Sequence, residues 1–217
     1  MSYASRIRAL AAAAAPDATP VTVVARDGHV TPLTWRRLDA DSNRLARALT
    51  RRGAGVGDRI GLELPNSPEM VTGVLAAWKI GAAPVPVRWD LPEWERNRVA
   101  QVLDAAVLIR PEDMAVFDEA AAEPDGALAD VVGPAVNGIC SSGSTGTPKI
   151  IMDETPAVFD PALAQPFPGN WGVRIGAQRI LVPTALYHTN GFATSPTCCG
   201  ETRWRSWRSS TRRERSR

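Results

Sequence analysis

GVGDRIGLELPNSPEMVTGVLAAWKIGAAPVPV, residues 55 to 87, decides the fold class. Ile60, Leu62 and Leu64 alternate with other residues, which is the period-two pattern of a strand. A helix start follows. Ser67 suits the N-cap because its hydroxyl can accept a first-turn N–H, and Pro68 suits the first turn because its missing donor has no partner there anyway. Val71, Val74, Leu75 and Trp78 fall on one helical face, and Gly81 tolerates the left-handed conformation that ends helices. Pro84 to Val87 then reads as a second strand.

The same alternation continues on both sides. Upstream, VTVVARDGHVTPLTW (residues 21 to 35) reads as two short strands around a turn at Asp27 and Gly28. Thr34 caps a helix from Trp35 to Arg52, with Leu38, Leu45, Ala48 and Leu49 at helical spacing and Gly53 and Gly55 ending it. Downstream, Pro92 and Glu93 open a helix with Val99, Val102 and Leu103 inward, and Ala106 to Ile109 is again strand-like. Residues 122 to 135, rich in Ala, Pro, Gly and Asp, read as a surface connection to a strand at Val136 to Ile139. Helices alternating with strands at short intervals predict an α/β layer, with helices packed on a mainly parallel sheet through right-handed crossovers. No internal repeat is visible.

Composition narrows the class. The 217 residues are 44% hydrophobic and 22% charged with a net charge of +2, a globular composition that does not point to nucleic acid as a specific partner. The three cysteines, Cys140, Cys198 and Cys199, form neither a disulfide framework nor a metal spacing, so a reducing cytoplasmic setting is expected. The alanine run near the start is too short and too weakly apolar for a membrane span or a targeting core. Nothing in the pattern specifies an oligomeric state.

CSSGSTGTPKII, residues 140 to 151, carries the chemistry. Gly143 and Gly146 let backbone amides converge on an anion. Ser141, Ser142, Ser144, Thr145 and Thr147 add hydroxyl donors, Pro148 fixes the exit direction, and Lys149 brings a full positive charge. The same residue types also make ordinary surface hairpins. A Walker A loop is excluded, because Gly143 is followed five positions later by Pro148 rather than Gly. Ile150 and Ile151 favour a strand after the loop.

The nine residues from Ser141 to Lys149 resemble, at every position, the signature of the adenylate-forming (AMP-binding) superfamily, which includes acyl-CoA synthetases and peptide-synthetase adenylation domains. LTWRRLDADSNRLARAL and the 55 to 87 stretch are similar to that family's opening, and LYHTNGF (Leu186 to Phe192) is similar to its aromatic-histidine-glycine motif. The resemblance implies the N-terminal part of the large domain of an acyl-CoA synthetase. ATP, Mg²⁺ and coenzyme A are then expected, with a carboxylic acid, fatty or related, as substrate. The carboxylate would attack the α-phosphate to give an acyl-adenylate, and a thiol would then displace AMP. By this resemblance Ser141 to Lys149 would grip the ATP phosphates, while His188 and Gly191 would bind substrate.

Two departures accompany it. Ile150 stands where family members usually have glycine, and the family's later motifs and C-terminal domain do not appear. Residues 1 to 196 are therefore expected to be a partial, catalytically incomplete domain. In residues 197 to 217 seven arginines fall within the last fifteen positions and no aliphatic residue appears. This tail reads either as a disordered basic arm or as the product of a shifted frame, since codons exist that yield LLRRDALAVMAKFDAARAL two bases along. A non-catalytic nucleotide-binding or interaction fragment is the alternative function.

Overall fold

The computed structural model describes residues 1–25, 27–141, 148–159, 179–192 and 203–207. Its central layer is a parallel sheet in which β3 (Arg59–Leu62) lies between β4 (Ala83–Pro86) and β5 (Val107–Ile109). The crossovers are α3 (Pro68–Lys79) and α4 (Glu93–Leu103), as the alternation predicts. Ser67 caps α3 by accepting the Met70 N–H at 3.2 Å, and Gly81 takes φ +72° just past its end. The α/β expectation therefore holds in this layer.

Helix α3 departs from the one-faced pattern. Every residue from Met70 to Lys79 is buried, because α3 is held between the sheet on one side and α1 (Tyr3–Ala13) and α2 (Trp35–Arg51) on the other. Small residues make this close packing possible: a Cβ on Gly73 would lie 2.8 Å from Leu62. Lys79 is tolerated there because its ammonium donates to Asp39 Oδ1 at 2.6 Å, Asn43 Oδ1 at 2.7 Å and the Asp39 carbonyl at 3.0 Å.

The alanine-rich start forms α1, for which no element was expected. Ser2 caps it, Ile7 is fully buried, and the Tyr3 ring stacks on Trp78 with centroids 4.1 Å apart. Trp78 also donates its indole N–H to the Val136 carbonyl at 2.7 Å. Helix α5 (Ala115–Ala121) was likewise not foreseen; it packs on α2 through Val116 and Ala120.

Two further sheets complete the described residues. β1 (Val21–Val24) and β2 (Val30–Leu33) form the expected hairpin, and β6 (Asn137–Ser141) pairs antiparallel with β7 (Lys149–Asp153). β9 (Arg203–Trp207) inserts parallel between β1 and β8 (Arg179–Val182), giving the order β2-β1-β9-β8. The five residues of β9 lie within the segment read from sequence as a basic arm or a shifted frame. Strand pairing uses main-chain groups, and partners on both sides stabilise a strand without an apolar run. No helix among the described residues is long and apolar enough to cross a membrane.

Candidate functional site

The glycine and hydroxyl motif is the connection of a hairpin. Ser141 and Lys149 face each other in the register of β6 and β7, and the Lys149 backbone N–H donates to Ser141 Oγ at 3.2 Å. The two described ends of the motif thus sit in a β-hairpin register. Ser142, Gly143, Ser144, Thr145, Gly146 and Thr147 lie outside the described residues; Ser141 and Pro148 are half-buried and Lys149 is exposed.

A cavity of about 400 Å³ opens beside the base of this hairpin, within the range typical of small-molecule sites. Cys140, Ser141 and Pro148 form one wall. Val87 and Arg88, just past β4, form the second, in keeping with the tendency of ligands to bind beyond the carboxyl ends of parallel strands. Trp94, Glu95, Arg98 and Val99 of α4 contribute a third, and Tyr187 and His188 close the fourth. Its lining mixes apolar side chains (Val87, Leu91, Val99) with charged ones (Arg88, Glu95, Arg98). Residues separated by more than 100 positions in the chain therefore meet at one opening.

His188 is exposed and donates its backbone N–H to the Ala185 carbonyl at 3.1 Å, with the rings of Tyr187 and His188 4.6 Å apart. The short helix α6 (Thr189–Phe192) follows immediately. Gly191 is buried within it and does not line the cavity. A Cβ there would lie 2.3 Å from the Ala185 carbonyl oxygen, so its lack of a side chain lets the helix close against its own entry turn. That entry turn is held from outside as well. Asn66, between β3 and α3, donates from Nδ2 to the Thr184 carbonyl at 3.0 Å and accepts the Leu186 N–H at 2.8 Å.

Several groups at or beside the cavity have shifted pKa values. Arg88 donates to Asp90 at 2.6 Å, and this hydrogen bond holds the Asp90 carboxyl below its ordinary range. Burial pushes the Tyr187 phenol up, and the Asp90 charge adds to that. Burial likewise raises the Cys140 thiol, with Glu95 contributing, so the wall below the loop carries a neutral thiol rather than a thiolate. The residues Trp94, Arg98, Cys140 and Tyr187 were not singled out for binding from sequence. Trp94 is 61% exposed and Trp89 39%. The signal that finds Trp94 is its spacing with Glu95, Arg98 and Val99, which puts all four on one side of α4.

Among the described residues no group of three His, Cys, Asp or Glu side chains could hold a metal ion.

Comparison with known proteins shows the family of the chain. The model of the AMP-binding enzyme family matches residues 10–136, more than half of the chain. The chain belongs to the AMP-binding enzyme family. Acetoacetyl-CoA synthetase from Streptomyces lividans shares the fold with a TM-score of 0.79 at 18% identity, covering 96% of this chain and 38% of that one. The N-terminal subdomain of Klebsiella oxytoca NpsA, in complex with 3-hydroxyanthranilyl-AMSN, gives 0.72 at 17% identity, covering 98% of this chain and 55% of that one.

Sequence kinship within the AMP-binding enzymes runs elsewhere. Bacitracin synthase 3 from Bacillus licheniformis is 33% identical over 132 residues, covering 55% of this chain and 2% of that protein. The probable non-canonical nonribosomal peptide synthetase CymA from Salinispora arenicola is 38% identical over 141 residues, covering 64% of this chain and 2% of that protein. The chain thus spans a small part of these curated relatives and about half or less of the solved synthetases. Adenylate formation is the shared level; the acyl-CoA branch expected from sequence is not separated from the peptide-synthetase branch.

Proposed function

We propose that this chain supplies the phosphate loop and the carboxylate pocket of an ATP-dependent ligase that activates a carboxylic acid as its adenylate and passes the acyl group to a thiol such as coenzyme A. The observation that carries this is the shared opening. Ser141 and Pro148, the two described ends of the hydroxyl and glycine loop, line the same cavity as Tyr187 and His188. A polyphosphate held by the loop and an acyl group against the apolar side chains would place a carboxylate and a phosphate within reach of each other. Proximity of that kind removes much of the entropic cost of bringing the two together.

In this reading Ser141 to Lys149 hold the β- and γ-phosphates through backbone amides, hydroxyls and the Lys149 ammonium. Val87, Leu91 and Val99 offer apolar contact to the acyl chain, and His188 with Tyr187 bounds its carboxylate end. A second reading, an amino acid as the carboxylic acid, rests on the identity to bacitracin synthase 3 and on Glu95, whose carboxylate in the cavity wall would suit an ammonium.

The test is thermal unfolding of the 217-residue chain with ATP, with and without carboxylic acids. ATP at a hundredfold excess over its Kd is expected to add about 2.7 kcal/mol of stability, and Lys149→Ala to remove most of it. Octanoate or benzoate adding a further shift favours the acyl reading, and an amino acid doing so favours the second. No shift with ATP overturns both.

A further inference from the structure

We infer that Asn66 is a positioning residue: its side-chain amide clamps the turn at Thr184 to Leu186 and thereby sets where Tyr187 and His188 stand in the cavity. Asn66 is only 5% exposed and lies between the central strand β3 and helix α3. Its amide is used in both directions on one short segment, donating to the Thr184 carbonyl and accepting the Leu186 N–H, 118 and 120 residues away. Capping of α3 does not explain it, because Ser67 already accepts the first-turn N–H.

The geometry resembles that of a neighbouring strand, since a primary amide offers one donor and one acceptor much as a peptide group does. Leu186 is buried at 2% exposure, so its N–H needs an acceptor from the protein. Tyr187 and His188 follow Leu186 directly and inherit its position. β3 in turn is registered against β4, just past whose end Val87 and Arg88 also line the cavity. One βα junction thus touches both groups of lining residues. What His188 binds rests on the proposed function; where His188 stands does not.

The chain has two histidines, and His29 lies exposed in the turn between β1 and β2. Histidine-labelled NMR therefore reads His188 against a built-in reference. In Asn66→Ala the His188 ring signals are expected to move while those of His29 stay, and Leu186 amide protection to fall about tenfold, matching the loss of one buried hydrogen bond. In Asn66→Asp the acceptor for Leu186 remains while the donor to Thr184 is lost, so Leu186 is expected to keep most of its protection while His188 still moves. That variant also carries the test if Asn66→Ala does not fold. Ile7→Val serves as a destabilised control far from the clamp. Unchanged His188 signals in both Asn66 variants, or equal changes in Ile7→Val, overturn the inference. ATP is not part of this measurement, so it and the proposed function can fail separately.

Discussion

Lys79 is a buried cation on which the α2–α3 packing depends. Its side chain is 1% exposed and its ammonium satisfies Asp39 and Asn43 across the α2–α3 interface. Lys79→Met keeps the stem but leaves those oxygens without their cation. A loss of about 2–4 kcal/mol is expected in urea unfolding, with partial recovery when Asp39→Asn is added. Cys140 offers a second test at this scale. Its raised thiol pKa predicts slow iodoacetamide alkylation near neutrality that accelerates in alkali, read by peptide mass spectrometry to separate it from Cys198 and Cys199. ATP with a carboxylic acid is expected to slow the reaction further, because Cys140 lines the cavity. Legibility at the residue level was uneven. Ser141, Pro148 and His188 could be named because a contiguous motif carries them. Asn66, Trp94 and Arg98 could not, because their roles come from partners far away in the chain.

Helix α1 and the β6–β7 hairpin show opposite sensitivities. Ile7 is fully buried beneath α1, so Ile7→Ala is expected to cost about 2–4 kcal/mol. Ile151 on β7 is 64% exposed, and Ile151→Thr should change stability by no more than about 0.5 kcal/mol in the same urea assay. Sequence periodicity revealed β3, α3, β4, α4 and β5, because each carries its own start and stop signals, down to the cap at Ser67 and the turn at Gly81. It missed α1, where alanines blur the boundary between buried and exposed faces, and α5, whose short run of Ala, Asp and Glu passes for a loop. Strand β9 escaped because Arg203–Trp207 offers no apolar periodicity; its place comes from main-chain pairing with β1 and β8.

For the molecule as a whole, acid sensitivity follows from a few carboxylates. Asp90, Glu119 and Asp130 are held below their ordinary pKa by hydrogen bonds from Arg88, Arg52 and Ser2 respectively. A carboxylate depressed in the folded state contributes stability above its unfolded pKa and loses it as pH falls through the folded value. Glu63 has the opposite sign: burial raises its pKa despite contacts with Arg96 and Arg110, so its protonation favours the folded state as pH falls. Urea midpoints are therefore expected to decline below about pH 5. Asp90→Asn should flatten that decline, and Glu63→Gln should steepen it. The strand order β2-β1-β9-β8 has a further consequence, in time rather than in space. Val21 pairs with Trp204, so one edge of β1 waits for a partner roughly 180 residues downstream, a delay on the order of 10 to 40 seconds at ordinary rates of synthesis. Through that interval β2 covers one edge and the other stands open, and a chaperone or a neighbouring nascent chain has the first opportunity to occupy it.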